Sequence, residues 1–179
     1  MSRLNSDFRD IKLYTLMSDT FTPQINLRRL RKGNNLLFNQ KYWPILEHWK
    51  GKATITGSAA LYAFGLIDRL PNDIDFVVDS STFEPGQKLY THVGRYSGMS
   101  NKIDMLGWFV ELGYNVDFFH NTNHSKIICD GHIFHHPFEI IQKKIEIHES
   151  NPPGSRYTRT DYEDVSYCFK KIKPDYLAD

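Results

Sequence analysis

Residues 53–78 read ATITGSAALYAFGLIDRLPNDIDFVV, and the order of parts in this stretch decides the fold. Ala53–Thr56 is short and carries β-branched residues, which favour a strand. Gly57-Ser58 follows at once, and Ala59–Leu66 has the composition of a short helix. Asp68–Asn72 is a loop closed by Pro71 and Asn72. Asp73–Val78 then reads as a second strand, in which Ile74, Phe76 and Val78 alternate with Asp73, Asp75 and Val77. Side chains two apart on a strand leave the same face, so Asp73 and Asp75 are expected side by side. Two anions so placed repel, and a hard divalent cation such as Mg²⁺ or Mn²⁺ is the natural occupant between them. The glycine lets the backbone approach a phosphate, and a helix starting there presents free N–H groups. Ser58 is expected either to donate its hydroxyl to a phosphate oxygen or to N-cap the helix.

Downstream, Asn101–Leu112 reads as an amphipathic helix with Ile103, Leu106, Phe109 and Val110 on one side and Gly113 as its cap. Tyr114–Phe119 is the next strand, with Asp117 at its centre between Val116 and Phe118. A carboxylate in so apolar a strand is seldom buried without a partner. Beside Asp73–Val78 it completes a three-carboxylate cluster of the kind that supports two-metal nucleotidyl transfer. Asp130-Gly131, between apolar runs in Ile127–Phe134, signals a hairpin. Pro137 opens a helix running to about Glu149, residues 151–155 break the chain, and Thr160–Lys171 is a last helix. Upstream, Gln24–Lys32 is a short helix and Asn35–Trp49 a second, interrupted at Pro44. Ser80–Gly98 is poorly patterned and reads as a long loop with one turn of helix.

The combination of strand, Gly-Ser, helix, Asp-x-Asp strand and a later strand with one Asp resembles the DNA polymerase β-like nucleotidyltransferase superfamily. The stretches that carry it are ITGSAALYAFGLIDRLPNDIDFVV and VDFF. A second match, PFEIIQKKIEIHESN followed by RYTRTDYEDV, looks like the lysine helix and Arg/Asp/Asp tail of small stand-alone nucleotidyltransferases, including toxins of abortive-infection systems. The resemblance covers about residues 53–170. It implies an α/β (α+β) nucleotidyltransferase fold: a small mixed β-sheet flanked by helices, with C-terminal helices. Residues 1–50 are then an N-terminal helical extension, and 51–179 the nucleotidyltransferase domain. It also implies roles. Asp73, Asp75 and Asp117 hold metal and carry the catalysis. Gly57, Ser58, Lys144 and Asp161 bind nucleotide, with Arg159 and Asp164 in the same tail. Lys143 competes with Lys144 for the lysine position. The implied substrates are an NTP and a hydroxyl acceptor on RNA, protein or a small molecule. The alternative is a catalytically silent binding protein of the same fold, acting in a toxin–antitoxin or virus–host assembly. Asn72 stands where a Ser is common in the family, and the segment before it is slightly longer than usual.

The 179 residues suffice for a real core, and 40% are hydrophobic. The formal charge of +1 argues against a global attraction to polyanions. A local run, Arg28, Arg29, Arg31 and Lys32, suits either a nucleic-acid contact or a solvated helix end. Cys129 and Cys168 form no CxxC pair, no apolar run reaches membrane-spanning length, and the N-terminus lacks a signal-peptide core, so a cytoplasmic protein without membrane contact is expected. Cys129, His132, His135 and His136 do not follow a usual structural zinc spacing, and Cys129 and His132 are expected on opposite faces of the hairpin.

Overall fold

The computed structural model describes residues 21–32, 36–78, 104–109, 116–120, 123–152, 154 and 156–172. In chain order these form α1 (Arg28–Lys32), α2 (Leu36–His48), β1 (Thr54–Thr56), α3 (Gly57–Ala63), β2 (Ile74–Val78), β3 (Asp104–Phe109), β4 (Val116–His120), β5 (Lys126–Cys129), β6 (His132–His135), α4 (Pro137–Ser150) and α5 (Arg156–Ile172). The strands make one mixed sheet in the order β3-β4-β2-β1-β6-β5. β1 runs antiparallel to β2 and parallel to β6, and β2 runs parallel to β4. The architecture is thus α/β, with a small mixed sheet and helices at the C-terminal end.

Local chemistry explains most boundaries. α3 starts at Gly57, two residues earlier than its composition suggests, with Thr56 as N-cap. It stops in a Schellman turn: the Gly65 amide donates to the Tyr62 carbonyl (3.1 Å) and the Leu66 amide to the Leu61 carbonyl (2.9 Å). Gly65 takes φ +72° there. The β5–β6 hairpin turns at Asp130 (φ 49°) and Gly131 (φ 80°), as a two-residue turn with both central residues left-handed requires. α4 begins at Pro137, with the Phe138 amide donating to His136 Nδ1 at 3.2 Å. α1 is shorter than expected, because Asn26 Oδ1 accepts from the Arg28 amide and opens the helix there. α5 starts at Arg156, a turn before the expected Thr160.

One expectation fails. Within the span read as the helix Asn101–Leu112, Asp104–Phe109 is a strand, paired antiparallel with β4. The register shifts between Met105 and Gly107. Such a bulge inserts a residue and breaks the period-two alternation, so the apolar spacing imitates a helix. Gly107 weakens a helix by about 1 kcal/mol, Trp108 and Phe109 favour strands, and β4 supplies the partner. A second correction concerns Cys129 and His132, which are register partners across the hairpin and so share a face. The loop expected over Ser80–Gly98 and the cap at Gly113 lie outside the described residues.

The core joins α1 (Leu30), α2 (Tyr42, Leu46), β2 (Ile74, Phe76), β6 (Phe134), α4 (Ile141) and α5 (Phe169) around α3, whose residues Ser58–Ala63 are all buried. Ala59, Ala60 and Ala63 keep α3 slim enough to pack on β1 and β2 while α1 and α4 close over it. Part of the basic run on α1 serves this packing. The Arg29 guanidinium lies 4.1 Å from the centre of the Tyr62 ring and donates to the Ile67 carbonyl at 3.2 Å, and Arg31 stacks toward Trp43. The Tyr42 hydroxyl donates to the Asn72 carbonyl at 3.1 Å. The loop that leads to Asp73 is therefore pinned from the N-terminal helices. No described helix is long and apolar enough to cross a membrane.

Candidate metal and nucleotide site

β1, β2 and β4 lie side by side at the centre of the sheet, and their register builds the site. Asp75 is opposite Thr56 on one side and Asp117 on the other. Asp73 immediately precedes β2. One carboxylate oxygen from each of Asp73, Asp75 and Asp117 lies within 4.8 Å of the others. Among the described residues this is the group of acidic, histidine and cysteine side chains with metal-holding geometry. Three converging carboxylate oxygens are the donor set that Mg²⁺ or Mn²⁺ prefers.

The electrostatics agree with an unmet demand for positive charge. Burial, then the charges of Asp73 and Asp117, push Asp75 well above the usual carboxylate range. Burial and Asp73 push Asp117 up to about 6. Burial raises Asp73 as well, although Lys144 and Arg69 pull the other way. A carboxylate raised on folding destabilises the folded state once it is ionised. The penalty is absent below the unfolded value near 3.8 and complete above the folded value near 6. In EDTA, Asp117→Asn is therefore expected to melt higher than wild type at pH 7 and alike at pH 4. The difference at neutral pH is on the order of 2–3 kcal/mol at most. Thermal melts of both proteins from pH 4 to 7 check this; a variant less stable at pH 7 would show that Asp117 is needed for the fold.

Gly57 is required where it stands. Its φ is +62°, and a Cβ there would fall on Asp75 Oδ2 and lie 3.3 Å from its Cγ. The absence of a side chain lets the Gly-Ser turn lie directly against the carboxylate cluster. Ser58 does not N-cap α3, because it lies inside the helix and Thr56 is the N-cap residue. Its Oγ accepts a hydrogen bond from Arg69 Nη2 at 2.7 Å.

Arg69 is the residue that sequence reasoning missed. Its Nε and Nη2 each donate to one oxygen of Asp164 at 2.6 Å, a bidentate pair, and Asp164 is buried in α5. Lys144 Nζ donates to Asp161 Oδ1 at 3.1 Å and lies 3.0 Å from Asp164 Oδ2. Burial alone would raise Asp164, yet the hydrogen bond from Arg69 and the charge of Lys144 outweigh it and hold it low. Lys144 is raised against its own burial by Asp164 and Asp161. Lys144, Asp161 and Asp164 thus form one ion network with Arg69, with both carboxylates in the middle of α5. Lys143 turns instead to Glu146 on its own helix. Arg159 is exposed.

A second brace lies beside the cluster, where Thr56 of β1 is the register partner of Asp75. Thr56 Oγ1 is 2.8 Å from His135 Nδ1, and His135 Nε2 is 2.8 Å from Glu139 Oε2. The order hydroxyl, imidazole, carboxylate ties β1 to β6 and α4 as an internal strut. No protein-family model, no curated protein and no solved structure matches the chain, and its side-chain geometry carries the functional reading.

Proposed function

We propose that the chain is a metal-dependent nucleotidyltransferase that moves a nucleoside monophosphate from an NTP to a hydroxyl acceptor, releasing pyrophosphate. The observation that carries this reading is the convergence of Asp73, Asp75 and Asp117 within 4.8 Å, beside a glycine whose missing side chain leaves room at Asp75. A divalent ion bound there would neutralise the triphosphate and make an attacking hydroxyl more acidic. Asp117 reaches the cluster from β4, on the other side of Asp75 from the Gly-Ser turn, and its carboxylate is the group we assign to take that hydroxyl's proton. The acceptor oxygen bonds to the α-phosphorus, the bond to the bridging oxygen breaks, and pyrophosphate leaves with that electron pair. Gly57 and Ser58 sit where the triphosphate approaches the cluster. Lys144 and Arg69 add positive charge at its edge, since both act on Asp73.

The test is titration calorimetry of NTP with Mg²⁺ or Mn²⁺ on wild type and on Asp73→Asn/Asp75→Asn. Binding that depends on metal in wild type and disappears in the double variant is expected, because triphosphate oxygens complete the coordination shell. Equal binding by the two proteins would remove the site. Incubation with each α-labelled NTP, scoring label on RNA and on protein, then identifies the acceptor class.

A further inference from the structure

The Ser58 hydroxyl has one hydrogen and two lone pairs. Arg69 Nη2 donates to the oxygen, and a guanidinium accepts nothing in return. Among the described residues, the Ser58 hydroxyl hydrogen has no acceptor, although Ser58 is buried. The hydroxyl is thereby held as a donor waiting for an acceptor. Arg69 in turn is fixed by both oxygens of Asp164, and Asp164 by Lys144. These bonds reach across 11 residues from Arg69 to Ser58 and across 95 to Asp164.

We propose that Arg69 is a positioning residue that turns Ser58 into an obligate hydrogen-bond donor for a phosphate oxygen, and that Asp164 holds it to this task. The inference rests on the nucleotidyltransferase reading and deepens it. An ionised phosphate oxygen is a strong acceptor, so a serine whose hydrogen is left unpaired favours it over groups that only donate. The residues of the C-terminal tail then serve the nucleotide indirectly. Asp164 aims Arg69, Arg69 aims Ser58, and Ser58 touches the ligand. A lysine at position 69 would keep the charge but lose the fork that binds Asp164 and Ser58 together.

The experiment is a double-mutant cycle on Ser58→Ala and Arg69→Lys, with NTP and inorganic tripolyphosphate as probes in Mn²⁺, reading Kd by calorimetry and Tm for each protein. Each single variant is expected to weaken binding by on the order of 10-fold, and the double variant no further, because the second change removes a contact already lost. The Tm loss of Arg69→Lys is expected to be unrelated to that pattern. Arg69→Gln, which keeps an N–H for Asp164, replaces Arg69→Lys if the latter does not fold. Additive losses would mean that Arg69 touches the phosphate itself and would overturn the inference. So would a Kd unchanged by Arg69→Lys when Ser58→Ala weakens it, since Ser58 would then need no alignment. Both outcomes leave the nucleotidyltransferase reading standing. A wild-type protein that binds neither probe overturns the reading and the inference together.

Discussion

In Asp117→Asn protein, transfer of NMP is expected to fall by on the order of 10² or more, while NTP binding stays within a few-fold of wild type. Asp117 enters the cluster from β4, on the far side of Asp75 from β1 and the Gly-Ser turn. Its loss leaves Gly57, Ser58 and the Asp73–Asp75 pair in place, so the ground-state complex survives. What disappears is the carboxylate proposed to take the acceptor hydroxyl's proton. Asparagine fills the same space but takes no proton. Single-turnover transfer with saturating NTP, set beside the calorimetric Kd, separates the two quantities. Abolition of NTP binding by the substitution would mean that Asp117 holds the nucleotide, and the division of labour among the carboxylates would be wrong. A wild-type protein that binds NTP but transfers nothing to any acceptor would instead favour the binding-protein alternative. The same variant is expected to be the more stable one in EDTA at pH 7. Opposite effects on stability and rate mark a carboxylate kept for function at the expense of the fold.

Where the fold was legible in the sequence, short-range chemistry decided the outcome. Asp130-Gly131 makes its hairpin with left-handed backbone that few other pairs accept, and Pro137 starts α4 because a first-turn amide is dispensable. The stretch from β1 to β2 reads well because its glycines and its Pro71-Asn72 turn punctuate it. β3 does not, because a bulge scrambles the alternation and its pairing with β4 outweighs local pattern. The site divides the same way. Asp73, Asp75 and Asp117 stand out because carboxylates are out of place on or beside apolar strands, and the β2–β4 register alone is then needed to bring them together. Arg69 lies in a loop without periodicity, and nothing near it in sequence foretells a partner in α5. Lys144 and Asp161 are visible as charges, but 17 residues separate them, and their mutual pairing emerges only from the packing of α4 on α5.

That pairing changes what is expected of Lys144. A lysine that only contacts triphosphate would be dispensable for folding, as the family resemblance by itself suggests. Here Lys144 is largely buried between Asp161 and Asp164, both of them buried as well. Removing one partner of a buried ion pair leaves uncompensated charge in a poor solvent, which costs about 3–5 kcal/mol. Lys144→Met keeps most of the volume and the aliphatic packing and deletes the charge. Arg69 still holds Asp164, but burial already raises Asp161, which then faces Asp164 without the hydrogen bond and charge of its lysine. The expected loss is about 3 kcal/mol, or roughly 6–12 °C in Tm for a chain of this length. Lys143→Met supplies the comparison, since a helical i,i+3 pair with a partly exposed Glu146 contributes only a few tenths of a kcal/mol. Adding Asp161→Asn to Lys144→Met should recover part of the lost stability by removing the stranded charge, an effect that loss of packing alone could not produce. Equal melting of Lys143→Met and Lys144→Met would show that the network contributes nothing to the fold, and would return Lys144 to the role of a ligand side chain waiting for triphosphate.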